Sequence, residues 1–279
     1  MTRIVGALAC GSKVRLAIWR SRVSLECMRG WSINLFRIRG IQISLHFSFL
    51  LLLAYACDEG WKEGGLPGLY WSGGTVVALF CCIVLHELGH SLTGMSMGFR
   101  VRRILLSLFG GVAEFDNIPR SPAKEILIVV AGPAVNFVIA GILWVVLKVG
   151  ANSVLFTTTP WGEFLSTLAT WNIWVALFNM IPAYPMDGGR IVRAALALKM
   201  PYLKASYTAL IIAKVVTIAG AIIALYLGYT YMALVFGYIF MIGHAEYKAL
   251  KRLESQDALW RASLIKNVSV PPVTEPPVL

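Results

Sequence analysis

Charge is what this chain has least of. Asp, Glu, Lys and Arg make up only 14% of its 279 residues, against 58% hydrophobic residues. A soluble domain carries about a quarter charged residues. With a mean hydropathy of +0.72, an ordinary soluble domain is excluded and an integral membrane protein is indicated. Acidic residues are the scarcer kind, 14 against 25 basic, for a net charge of +11. That excess is not a nucleic-acid footprint, because eight of the basic residues (Arg3, Lys13, Arg15, Arg20, Arg22, Arg29, Arg37 and Arg39) precede the first apolar span. Most of the others fall in alternate loops, the asymmetry that the positive-inside rule describes. Cysteine is sparse and unpatterned: Cys10, Cys27, Cys57, Cys81 and Cys82 form no CxxC or paired spacing, so no disulfide framework is implied. Adjacent Cys81 and Cys82 read as small apolar filler.

Histidine is also rare, with four in the chain, yet two stand four apart in His86-Glu87-Leu88-Gly89-His90. The pentapeptide lies late in the apolar run Thr75–Gly98, hence on a helix within a membrane. Residues four apart share a helix face, so both imidazoles can point at one metal ion. Glu87, one residue on, can reach water held at that ion as a general base without being a ligand. Two imidazoles, a third donor and an open position make a catalytic zinc arrangement. Short patterns of this kind also recur by chance, but an ionisable group at membrane depth is costly and functional by default.

Six spans follow from hydropathy. They are Ile43–Cys57, Thr75–Gly98, Ile126–Val149, about Ser166–Ile181, Thr208–Leu227 and Thr230–Gly243. The expected fold class is an all-α polytopic membrane protein with a small membrane-associated β-hairpin after the second span. An alternating run, Ile33–Ile43, precedes the first span, and His46 at its edge reads as an interfacial hydrogen-bonder. The Gly-rich stretch Asp58–Gly74 reads as an outer loop. Ile104–Leu108 and Val112–Phe115 flank Gly110-Gly111 and read as a hairpin. It is either an edge for an extended substrate or an ordinary cytoplasmic turn. In span three, Pro133 frees a carbonyl and Asn136 places an amide in the membrane, features tolerated when neighbours satisfy them; simple packing explains them equally.

Span four runs into Asn179-Met180-Ile181-Pro182-Ala183-Tyr184-Pro185-Met186-Asp187-Gly188-Gly189-Arg190. Two prolines unwind the helix and leave Asp187 on irregular backbone near membrane depth. A carboxylate there needs a cation, which a metal held by two histidines supplies; the alternative is a loop-capping Asp. The loop Arg190–Lys204 is basic and reads as cytoplasmic. His244 and Glu246 beside Lys248, Lys251 and Arg252 read as an interfacial cluster rather than a second metal site.

Four separated motifs, His86–His90, Gly110–Ala113, Gly132–Asn136 and Asn179–Arg190, occur in one order between about Gly40 and Met200. Together they resemble the site-2 protease family of intramembrane zinc metalloproteases. The resemblance implies that His86, His90 and Asp187 bind one Zn2+ and that Glu87 activates water. It further implies that Asn179 sits in the site, polarising the scissile carbonyl as an oxyanion donor. The Asn-x-x-Pro-x-x-Pro-Met-Asp-Gly-Gly-Arg form resembles the branch whose members carry CBS domains. Here only some 30 residues follow the last span, so no CBS domain is expected.

The resulting expectation is an enzyme of regulated intramembrane proteolysis, a metalloendopeptidase that hydrolyses peptide bonds in or near transmembrane segments of substrate proteins. Its partners would be a membrane-spanning protein and the lipid bilayer, with no nucleic acid. Residues 1–27 would be a basic extension, with Met28 as a second candidate start, 28–247 the transmembrane protease domain and 248–279 a cytoplasmic tail with a Pro-rich end. The chain would lie in the inner or plasma membrane with both termini cytoplasmic. A prenyl-protein type of zinc protease would need a downstream Glu ligand, and neither Glu163 nor Glu246 has a supporting motif. A silent scaffold or metal transporter has no need of Glu87 between two histidines.

Overall fold

The computed structural model describes residues 32–107, 110–115, 121–151, 153, 156 and 159–267. The expectations for residues 1–27, for Met28 as a start and for the Pro-rich end lie outside the described residues. The chain begins with β1 (Ser32–Ile38) and β2 (Ile41–His46). The expected single alternating run is thus a hairpin. Arg39 and Gly40 both take positive φ, 48° and 87°, the two-residue turn whose twist matches paired strands.

Helix α1 (Phe47–Ser96) follows, and here the expected outer loop Asp58–Gly74 is corrected. The helix is interrupted only at Gly64 and Gly65, where Gly65 takes φ 60° and ψ −140°. The two arms fold back on each other. Gly60 and Gly68 meet backbone to backbone, Gly73 sits against Cys57, and Phe49 stacks on Phe80 with centroids 4.0 Å apart. Glycine here lets two helices approach closely, while Lys62 bonds Asp58 at 2.7 Å and Glu59 at 3.0 Å to support the turn before the break. His46 is a hydrogen-bonder that caps the helix, its Nδ1 accepting from Ser48 N at 3.1 Å.

Strands β3 (Val101–Ser107) and β4 (Gly110–Phe115) complete a four-stranded sheet in the order β1-β2-β3-β4. β2 and β3 are parallel, with all of α1 as the crossover, and β3 and β4 are antiparallel. The expected hairpin is present, but Gly110 and Gly111 lie inside β4, paired with Ser107 and Leu106, not at the turn. The sheet packs on both arms of α1 through Ile41, Ile43, Ile104, Phe49, Phe80 and Leu88.

The remaining elements are α2 (Pro122–Gly150), α3 (Trp161–Asn179), α4 (Asp187–Ala197), α5 (Tyr202–Tyr226) and α6 (Thr230–Asn267). Two further expectations are revised here. Asp187 opens helix α4 instead of lying on irregular backbone; the irregular stretch is Met180–Met186 before it. The loop expected at Arg190–Lys204 is helical as far as Ala197 and again from Tyr202. An acid at the first helical position suits the exposed N–H groups and the helix dipole. α6 runs without interruption across residues 247 and 248.

The molecule is mostly helical, and α1, α2 and α5 are long and apolar enough to cross a membrane. α3 is 19 residues long and carries Glu163, Asn172 and Asn179, and α6 passes from apolar to charged sequence. Polarity runs inward: Val138, Ile142, Val215 and Ile222 are about 60% exposed, whereas Asn136 and Asn172 are wholly buried. Apolar outside and polar inside is the arrangement a lipid solvent favours, and this is a membrane protein.

Candidate metal centre

His86 and His90 lie one turn apart on the second arm of α1, and Asp187 approaches from the start of α4. All three are buried, and their ligand atoms lie within 4.8 Å of one another. The two Nε2 atoms are 3.1 Å apart. Asp187 Oδ2 stands 3.3 Å from that of His86 and 3.2 Å from that of His90.

The ring orientations follow from fixed ends. A backbone carbonyl can only accept, so His90 Nδ1 donates to Ile128 O of α2 at 2.8 Å. For His86 the chain of reasoning is longer. Asn172 Nδ2 donates to Leu168 O at 2.8 Å, so its oxygen accepts from Asn136 Nδ2 at 3.2 Å. Asn136 Oδ1 is then left to accept from His86 Nδ1 at 2.8 Å. Both imidazoles therefore carry their proton on Nδ1 and aim an Nε2 lone pair at Asp187.

Three acceptors thus converge with no donor among them, and Asp187 Oδ2 is a buried oxygen without a hydrogen-bond partner. Such a cluster repels itself unless a cation sits within it. Glycine keeps the space clear: a Cβ at Gly132 of α2 would collide with His90 Nε2 and come within 2.8 Å of His86 Nε2. Two imidazoles and a carboxylate, tautomers fixed from behind, fit a divalent metal such as zinc.

Glu87 is buried on the other side of the helix turn, against β4. A Cβ at Gly111 would lie 2.9 Å from its Cδ and 3.0 Å from Oε1. The elements around the trio are locked by glycine. Gly89 brings α1 against Ala131 O of α2, and Gly188 and Gly189 seat α4 on the Met180–Tyr184 backbone. The described contacts set Glu87 against Gly111 and do not join it to the trio, nor do they join Asn179. Its amide donates to Val175 O of its own helix at 3.0 Å.

A family model described as peptidase family M50 matches residues 74–160 and 154–219, together more than half of the chain. This chain is a member of peptidase family M50. As an M50 chain it is 40% identical over 185 residues to a zinc metalloprotease of Methanocaldococcus jannaschii, covering 66% of this chain and 51% of that protein. It is 27% identical over 136 residues to stage IV sporulation protein FB of Bacillus subtilis, covering 47% and 44%. The chain spans about half the length of the curated relatives it matches. The solved site-2 protease from Methanocaldococcus jannaschii superposes with a TM-score of 0.59 at 34% identity, covering 78% of this chain and 95% of that one. The site-2 protease resemblance in the motifs is therefore borne out for this M50 member.

Sequence reasoning missed Asn172, Ile128 O, and the site roles of Gly111 and Gly132. Gly132 and Asn136 stand in a motif that was noticed. Asn172 had no signal beyond being an amide in an apolar helix.

Proposed function

We propose that this M50 chain is an intramembrane zinc metalloprotease that hydrolyses peptide bonds in or beside a substrate's transmembrane helix. The observation that carries the reading is the convergence of His86 Nε2, His90 Nε2 and Asp187 Oδ2 as three buried acceptors. The zinc metalloprotease name of a relative supports the choice of metal. His86, His90 and Asp187 hold one Zn2+. Zinc, when bound, supplies Lewis acidity that brings a water's pKa to about 7. Glu87 takes the proton from the attacking water and passes it to the leaving amine as the C–N bond breaks. In this reading Asn179 turns its amide from Val175 O towards the carbonyl oxygen, as an oxyanion donor does.

The chain crosses the membrane six times, in the inner or plasma membrane, with both termini cytoplasmic. The α1 break at Gly64-Gly65 then faces outward. His86 to His90 lie some eight residues before the cytoplasmic end of α1, roughly 12 Å into the bilayer at 1.5 Å per residue, so the cut falls in the cytoplasmic half of the substrate span. β4 is an edge strand beside Glu87, suited to hold an unwound segment.

Glu87→Gln tests the assignment. It retains zinc and loses cleavage of a membrane-spanning reporter by at least about 100-fold. Undiminished cleavage by that variant, or scission in the outer half of the span, would overturn the reading.

A further inference from the structure

Outside the trio, two opposite charges are buried together. Glu125, at the start of α2, is 3% exposed and Arg193, on α4, is 8% exposed. Arg193 Nη2 is ion-paired with Glu125 Oε1, and the guanidinium lies 5.6 Å from the ring of Tyr184 and 5.2 Å from that of Tyr202. Desolvating two charges offsets much of their attraction, so a buried pair is a poor device for stability alone. It is a good device for fixing a geometry, because neither charge tolerates losing the other.

Its position says what geometry is fixed. Glu125 stands three residues, about 4.5 Å along the helix, before Ile128, whose carbonyl orients His90. Arg193 stands six residues after Asp187, about 9 Å along α4 and about 120° around its axis. The N-terminal end of α4 is already seated through Gly188 and Gly189. Gly189 and Arg193 stand four apart on one face of α4, so the ion pair adds a second fixed point about 6 Å further along that face and fixes the direction of the helix axis. We propose that Glu125 and Arg193 are positioning residues whose ion pair sets the direction of α4, and so places Asp187 against the two imidazoles held on the α2 side. The inference rests on the metal-site reading above.

The test is zinc affinity of the full chain in lipid nanodiscs, by competition with a chromophoric chelator, at a temperature below each variant's melting point. Arg193→Met and Glu125→Gln each weaken zinc about 10- to 100-fold, the usual cost of losing support behind a ligand. In an Asp187→Ala background the same substitutions cause no further loss, because the ligand they position is gone. The Co2+ form gives a second readout: its visible ligand-field band changes in Arg193→Met towards that of Asp187→Ala. Unchanged affinity in the single variants, or an equal loss in both backgrounds, overturns the proposal. If Arg193→Met does not fold, Glu125→Gln and Arg193→Lys decide. If none of the three folds, the pair is a structural support and the proposal falls. A wild-type chain that binds no zinc, or an Asp187→Ala chain that binds it at full strength, defeats the metal-site reading itself and is distinguishable from failure of the clamp.

Discussion

At the scale of single residues, the three groups that converge were legible and the groups behind them were not. The i, i+4 spacing of His86 and His90 declares a shared face, and Glu87 between them declares a base. Asp187 was legible because a carboxylate near membrane depth demands a cation. Asn172 could not be read, since its partner Asn136 lies 36 positions away and only folding brings them together. Replacing it tests that hidden part: Asn172→Leu leaves Asn136 without an acceptor, and zinc affinity drops about 10- to 100-fold with the ligands intact. Chelator competition measures it. Gly132→Ala places a methyl against both Nε2 atoms. The overpacking costs about 1–3 kcal/mol locally, and the variant is expected to remain folded by thermal melting while losing bound zinc by mass spectrometry.

At the scale of elements, the hairpin β3–β4 was legible from two β-prone runs, but the role of its glycines was not. Turn glycines and close-packing glycines look alike in sequence; the difference is what stands opposite, and Gly111 stands opposite Glu87. Gly111→Val is therefore expected to displace that carboxylate and lower cleavage at least tenfold while zinc stays bound, checked by paired activity and metal assays. The same ambiguity turned the glycines of α1 into an expected loop. Gly60 and Gly68 are eight residues apart and meet only because the arms fold back at Gly64-Gly65. Gly68→Leu wedges them apart, and a fall in stability of about 1–3 kcal/mol is expected from denaturation in detergent.

For the whole molecule, composition was enough to reveal a protein whose polarity faces inward, and the order of four motifs was enough to reveal its family. The number of crossings was less legible, because α3 and α6 mix polar with apolar residues and hydropathy grades such helices poorly. Topology can be mapped directly. A reporter inserted after Gly65 should behave as external and one in the Met200–Tyr202 turn as cytoplasmic; a protease-protected reporter on the wrong side would reverse the orientation. If zinc binds the folded trio as proposed, stripping it with a strong chelator should lower the melting temperature. The lost stabilisation is about 2.7 kcal/mol for zinc previously present at 100 times its Kd.

The amide relay behind His86 has one further consequence, best put in terms of proton traffic. It ends on Leu168 O, a carbonyl that can only accept. If the ring proton moved from Nδ1 to Nε2, Asn136 would have to rotate, then Asn172, and the last amide oxygen would face that carbonyl with nothing between them. The relay therefore works as a rectifier. It lets His86 offer electrons to the centre and blocks it from carrying protons there, as the proposed division of labour with Glu87 requires.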